Sequence, residues 1–144
     1  MLPSATPFSI RLLIVERNPA TRDALISLLK PVPGIEFIGA VPPESAVRQA
    51  VLRRVNVVLL DVLKPHASSA RLCQELCALT PRPAVMAMTT FANLNEERDL
   101  RCSGAVGYWL KEVHLEKLVY AIRHIWTQNV SLPAQSTNPE SPCI

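Results

Sequence analysis

Five short apolar runs recur along the chain, at Leu12–Val15, Ile35–Val41, Val55–Leu60, Ala84–Met88 and Gly107–Leu110. Each has the length of a strand. The third, "VNVVLL", is nearly all apolar and rich in β-branched residues, as a strand covered on both faces must be. Between the runs the apolar spacing turns helical. In Thr21–Lys30 a stripe is formed by Leu25, Leu28 and Leu29, and in His114–Gln128 by Leu115, Leu118, Val119, Ile122, Ile125 and Trp126. The segment Asn93–Ser103 has only Leu94 and Leu100 as clearly apolar residues, so it is expected to be the most loosely packed helix. Five strands alternating with five helices predict an α/β fold: a parallel sheet with right-handed crossovers and helices on both faces. Function in such a sheet sits at the carboxyl ends of the strands.

Composition agrees with one domain and narrows its partners. At 144 residues and 49% hydrophobic content the chain can bury a real core. Lys and Arg number 15 against 12 acids, and a net charge of +3 without any basic run does not describe a nucleic-acid surface. Cys73, Cys77, Cys102 and Cys143 fit neither a disulfide framework nor a metal knuckle, and His66, His114 and His124 show no ligand spacing. A reducing, cytoplasmic setting is expected. No apolar run approaches the roughly 20 residues of a membrane helix. Residues 1–9 read as a disordered lead, 10–128 as the domain, and 129–144, polar and proline-punctuated, as a disordered tail or linker remnant.

The strand ends carry the chemistry. The first strand closes on Glu16 and Arg17, the third on Asp61, the fourth on Thr89 and the fifth on Lys111. A carboxylate, a hydroxyl and an ammonium held together suit phosphoryl transfer, with Asp61 as nucleophile and Thr89 and Lys111 holding the transferred group's oxygens. A divalent cation would take oxygen ligands from more than one carboxylate, and Glu16 supplies a second. Tyr108 and Trp109 are adjacent in the last strand and therefore point to opposite faces.

Four stretches, "RLLIVERNPATRDAL", "VNVVLLDVLKP", "VMAMTTF" and "CSGAVGYWLKE", occur in an order and spacing that resembles the receiver domain of bacterial two-component response regulators, in the LuxR/NarL-type branch. The resemblance runs from about Arg11 to Gln128. It implies a flavodoxin-like (CheY-like) five-stranded sheet of order 2-1-3-4-5. It also implies that Asp61 is the phospho-acceptor, that Pro65 belongs to the loop after it, that Thr89 is the switch hydroxyl, and that Tyr108 is the rotating aromatic. Lys111 then contacts the phosphoryl group, and the backbone carbonyl of Leu63 binds Mg²⁺ together with Glu16 and Asp61. Implied partners are a histidine kinase or small phosphodonor, and a downstream protein or second copy meeting the face of helix 4, strand 5 and helix 5. The implied role is signal relay, not enzymatic turnover of a substrate.

Two positions depart from that pattern. Lys64 replaces a residue that is commonly methionine, and Arg17 stands where the family has its most direct metal-binding acid. A guanidinium stays protonated and cannot ligate Mg²⁺. At about 4 Å and an effective dielectric near 20 it would repel a single positive charge by roughly 4 kcal/mol, and a dication by more. Two readings follow. In one, Arg17 lies over Asp61, lowers its pKa, and locks a phosphorylation-independent pseudo-receiver that acts by dimerisation or partner binding. In the other, Arg17 turns to solvent while Glu16 and Asp61 hold a weakened Mg²⁺ site. A small-molecule or nucleotide binder is disfavoured by the count of four glycines and the lack of a glycine-rich loop after the first strand. The residues after Gln128 are too few for a helix-turn-helix, so direct DNA binding is not expected.

Overall fold

The computed structural model of the chain describes residues 9–111 and 114–131. The strands are β1 (Ile10–Val15), β2 (Ile35–Val41), β3 (Val57–Asp61), β4 (Ala84–Thr89) and β5 (Gly107–Leu110). They form one sheet of order β2-β1-β3-β4-β5, parallel throughout. The helices are α1 (Pro19–Leu29), α2 (Ala46–Leu52), α3 (Ala67–Cys77), α4 (Leu94–Cys102) and α5 (Leu115–Ser131), with a 3₁₀ turn at Pro43–Ser45 before α2.

Strand alternation divides the core between the two faces of the sheet. Leu12, Ile14, Val57, Leu59 and Met86 point one way and pack with Leu29 of α1 and Leu118, Ile122 and Ile125 of α5. Leu13, Val15, Val58, Leu60, Val85 and Ala87 point the other way, onto Ala50 of α2, Cys73 and Leu76 of α3, and Leu100 of α4. Each such valine or leucine removed from water stabilises the fold by about 1.5–3 kcal/mol. Trp109 packs on the first cluster and Tyr108 on the second, as their adjacency requires.

Several boundaries differ from the sequence expectation for local reasons. Helix α1 begins at Pro19 and not at Thr21, because the Asn18 side chain accepts from the backbone N–H of Ala20 (2.8 Å) and Thr21 (3.1 Å) and Pro19 has its φ preset for a first turn. Leu28 of the expected stripe is 48% exposed. Helix α5 continues to Ser131, three residues into the segment expected to be a tail. The remainder of that tail, and the lead up to residue 8, lie outside the described residues.

Helix α4 packs through few residues. It buries only Glu96 and Leu100, while Leu94 is 83% exposed. The helix therefore turns a carboxylate inward and leaves one of its two leucines in solvent. Cys73 and Cys77 are free thiols.

Candidate functional site at the carboxyl edge of the sheet

Strands β1 and β3 are hydrogen-bonded neighbours, so their last residues arrive side by side. Glu16 follows β1 directly, its backbone N–H donating to the Val41 carbonyl at 2.9 Å, and its side chain is buried. Asp61 closes β3, and the next residue returns to the sheet through Val62 N–H donating to the Met88 carbonyl at 2.8 Å. Lys111 is delivered by the far side of the sheet, its N–H donating to the Thr89 carbonyl at 2.9 Å. The ammonium of Lys111 meets Asp61 Oδ1 at 2.9 Å and Glu16 Oε1 at 3.3 Å. One cation thus serves two carboxylates.

The electrostatics follow from that ratio. Burial pushes the Asp61 carboxyl above its ordinary value, Glu16 adds to the rise, and the hydrogen bond from Lys111 offsets it only in part. On Lys111, burial favours the neutral amine, but the two carboxylates outweigh it and hold the ammonium above its ordinary value. The pocket retains a net negative charge.

Arg17 does not supply the missing positive charge. It is exposed, and among the described residues it forms no ion pair with Asp61, although both border a cleft of about 250 Å³ with Leu63, Ser69 and Arg71. The expectation that Arg17 lies over Asp61 and lowers its pKa is therefore corrected: Lys111 holds that position, and the Asp61 pKa is raised. Extended into water, a guanidinium keeps its hydration, which a buried site would strip away. A different arginine orders the loop. Arg22 Nη1 donates to the carbonyls of Glu16 (2.9 Å) and Arg17 (3.0 Å), and Asn18 N–H donates to Glu16 Oε2 at 3.2 Å.

Thr89 and Tyr108 do not join the Asp61 cluster. Thr89 is fully buried, and its hydroxyl donates to Glu96 Oε1 at 2.7 Å. The Tyr108 hydroxyl donates to the same oxygen at 2.6 Å, and Lys64 pairs with Glu96 Oε2. Sequence reasoning missed Glu96. A signal for its placement was present: Glu96 and Leu100 stand four apart, on the same face of α4. Asn93-x-x-Glu96 also has the spacing of a capping box, yet only half of one forms. Asn93 Oδ1 accepts from Glu96 N–H at 2.7 Å, while the Asn93 N–H is taken by the Tyr108 hydroxyl at 3.1 Å.

Behind Asp61 the loop is ordered by Leu63 N–H donating to Ser69 Oγ at 2.9 Å, and Pro65 follows a cis peptide bond from Lys64. Oxygens that would hold a hydrated Mg²⁺ are the carboxylates of Glu16 and Asp61 and the Leu63 carbonyl, a donor set of the right hardness for that ion. Two carboxylates sharing one ammonium also have charge left for a dication. Among the described residues no group of three or more His, Cys, Asp and Glu side chains forms a metal centre, so the set has one acid fewer than a three-carboxylate site.

A doubly wound parallel sheet of order β2-β1-β3-β4-β5, with an acidic pair and a lysine converging at its carboxyl edge, defines a flavodoxin-like fold. Residues 12–123 match the response regulator receiver domain, and the chain belongs to that family. It is 24% identical over 117 residues to the DNA-binding transcriptional activator DevR/DosR of Mycobacterium tuberculosis, covering 81% of this chain and 54% of the relative. Against the transcriptional regulatory protein LiaR of Bacillus subtilis it is 27% identical over 115 residues, covering 79% and 54%. A protein-glutamate methylesterase of Anaeromyxobacter dehalogenans is 25% identical over 148 residues, with 96% of this chain and 41% of the relative covered. The chain thus spans about half or less of these curated relatives. Among solved structures, the signal receiver domain of a NarL response regulator from Mycobacterium tuberculosis superposes with a TM-score of 0.76 at 17% identity, covering 84% of this chain and 98% of that one. A LuxR-family response regulator from Staphylococcus aureus gives 0.72 at 24% identity, covering 81% and 98%.

Proposed function

We propose that Asp61 receives a phosphoryl group in a two-component relay and that the domain passes the signal on by protein–protein contact. The observation that carries this reading is the partly buried Asp61 beside the buried Glu16, with Lys111 at 2.9 Å, at the edge where strand ends converge. An Asp61 carboxylate oxygen attacks phosphorus in a phosphohistidine or small acyl phosphate. The bond from phosphorus to the donor breaks, its electron pair leaves with the donor, and an aspartyl phosphate remains. Lys111 stays within reach to pair with a phosphoryl oxygen. Glu16, Asp61 and the Leu63 carbonyl would hold Mg²⁺, which when bound neutralises charge on the transferring group. Arg17 at the pocket mouth weakens that affinity without abolishing it, because its side chain has solvent to turn into.

Thr89 and Tyr108 are the residues proposed to respond to the phosphoryl group. Their readout surface is the α4-β5-α5 face, where a cavity of about 470 Å³ is lined by Arg101, Val106, Tyr108, Trp109, His124 and Ile125. A downstream protein is the proposed occupant of that face, with neither nucleic acid nor membrane as a direct partner. We also propose a cytoplasmic setting, in keeping with the family; no described helix is long and apolar enough to cross a membrane. Intact-mass spectrometry after incubation with acetyl phosphate and Mg²⁺ tests the central step. One phosphate adduct on the wild type, absent from Asp61→Ala, is expected. An adduct that persists in Asp61→Ala, or no adduct on wild type and Arg17→Asp alike, would overturn it.

A further inference from the structure

The Glu96 carboxylate is wholly buried, on a helix whose other acids, Glu97 and Asp99, keep contact with solvent. A desolvated carboxylate persists only where donors replace water. Here the donors come from three separate places: Thr89 at the end of β4, Tyr108 on β5, and Lys64, three residues beyond Asp61 in the acceptor's own loop. Lys64 also donates to the Phe91 carbonyl at 3.3 Å, tying that loop to the entrance of α4. Glu96 therefore ties α4 to the ends of β4 and β5 and to the acceptor loop.

Thr89 has one hydroxyl hydrogen. It is directed at Glu96 Oε1 at 2.7 Å, with the Phe91 carbonyl at 3.3 Å as the other acceptor within reach. A phosphoryl oxygen on Asp61 would need that same hydrogen. We propose that Glu96 is an autoinhibitory latch, which holds the Thr89 and Tyr108 hydroxyls in the arrangement of the unmodified domain and is fastened to the acceptor loop by Lys64. Phosphorylation has to take Thr89 from Glu96, and the first turn of α4, with Phe91 and Leu94 exposed, is released with it. Glu96 acts here as a positioning residue, through Thr89. The proposal rests on Asp61 being the phospho-acceptor.

The test compares wild type, Glu96→Gln, Thr89→Ala and the double variant of the full chain. Phosphate incorporation from acetyl phosphate and Mg²⁺ is followed by intact mass, and amide hydrogen exchange is followed over 94–102 and 107–110 without phosphodonor. Glu96→Gln keeps the shape but loses the charge, and is expected to label about tenfold faster, the factor that loss of one charge-assisted hydrogen bond represents. Its effect should vanish in the Thr89→Ala background, which a general loosening would not do. Exchange over both segments should quicken in the unmodified variant. Lys64→Met, at an exposed position, should shift both readouts the same way by a smaller factor, and it decides the matter if Glu96→Gln does not fold. Where the wild type labels, an equal or slower rate in Glu96→Gln, or an acceleration that persists without Thr89, overturns the latch and leaves the acceptor assignment standing. Where no protein labels, the acceptor assignment fails and the latch, which rests on it, falls with it.

Discussion

At the level of single residues, the site depends on which cation faces which acid. Lys111 is shared by Asp61 and Glu16, so Lys111→Met leaves one buried and one partly buried carboxylate without their shared counter-charge. A loss of about 1–3 kcal/mol in urea unfolding at pH 7 is expected, the cost of leaving a buried charged group unsatisfied. Arg17→Ala should change stability by less than about 0.5 kcal/mol, since the side chain is exposed and makes no described ion pair. A clear fall in melting temperature would restore the built-in-cation reading set aside above. Glu96 gives a pH signature. Burial alone would raise its carboxyl, but the hydrogen bonds from Lys64, Tyr108 and Thr89 prevail and hold it below the ordinary 4.5. A depressed native-state value means that the unfolded chain binds the proton first, so this stabilisation is present above pH 4.5 and is lost as the pH falls through the native value. The stability gap between wild type and Glu96→Gln should therefore be widest near neutrality and close under acid, as read by melting temperature against pH with Lys64 and Tyr108 intact.

Among the elements, α4 separates what a sequence pattern conveys from what packing decides. Its ends are legible, with Asn93 capping the first turn and Gly104 past the last. Its inward face is not, because hydrophobicity selects Leu94 and Leu100 whereas the helix buries Glu96 and Leu100. Leu94→Ala is expected to be nearly neutral, while Leu100→Ala should cost about 2–5 kcal/mol. Equal costs would mean that the helix is rotated from the position described. Gly104 is the tightest joint. At φ +115° it adopts a backbone that L side chains rarely enter, and an added Cβ would come within 2.5 Å of Cys77 Sγ. The strands were easier to read than the helices: the edge strands Ile35–Val41 and Gly107–Leu110 match their expected bounds, and the buried β1, β3 and β4, read from their apolar runs, differ by one or two residues at one end or both.

For the molecule as a whole, metal affinity sets how the domain would respond to a phosphodonor. Binding to the folded state alone stabilises by about 2.7 kcal/mol when the ligand is at a hundredfold excess over its Kd. Melting of the wild type should shift little with millimolar Mg²⁺ and more in Arg17→Asp, where a third acid joins Glu16 and Asp61. Equal shifts in the two proteins would show that Arg17 has no part in the pocket's affinity. Class of fold, the approximate strand bounds, and the acid, hydroxyl and lysine at the strand ends were all determined by the sequence alone, because alternation of apolar runs and helical stripes is local information. Tertiary structure decided the rest. Whether Arg17 or Lys111 faces Asp61 depends on which side chain reaches an acid delivered by a neighbouring strand, and a residue's type carries no record of that. That Glu96 is buried depends likewise on Thr89, Tyr108 and Lys64 arriving from three separate segments, since only their combined hydrogen bonds compensate a carboxylate for the loss of water.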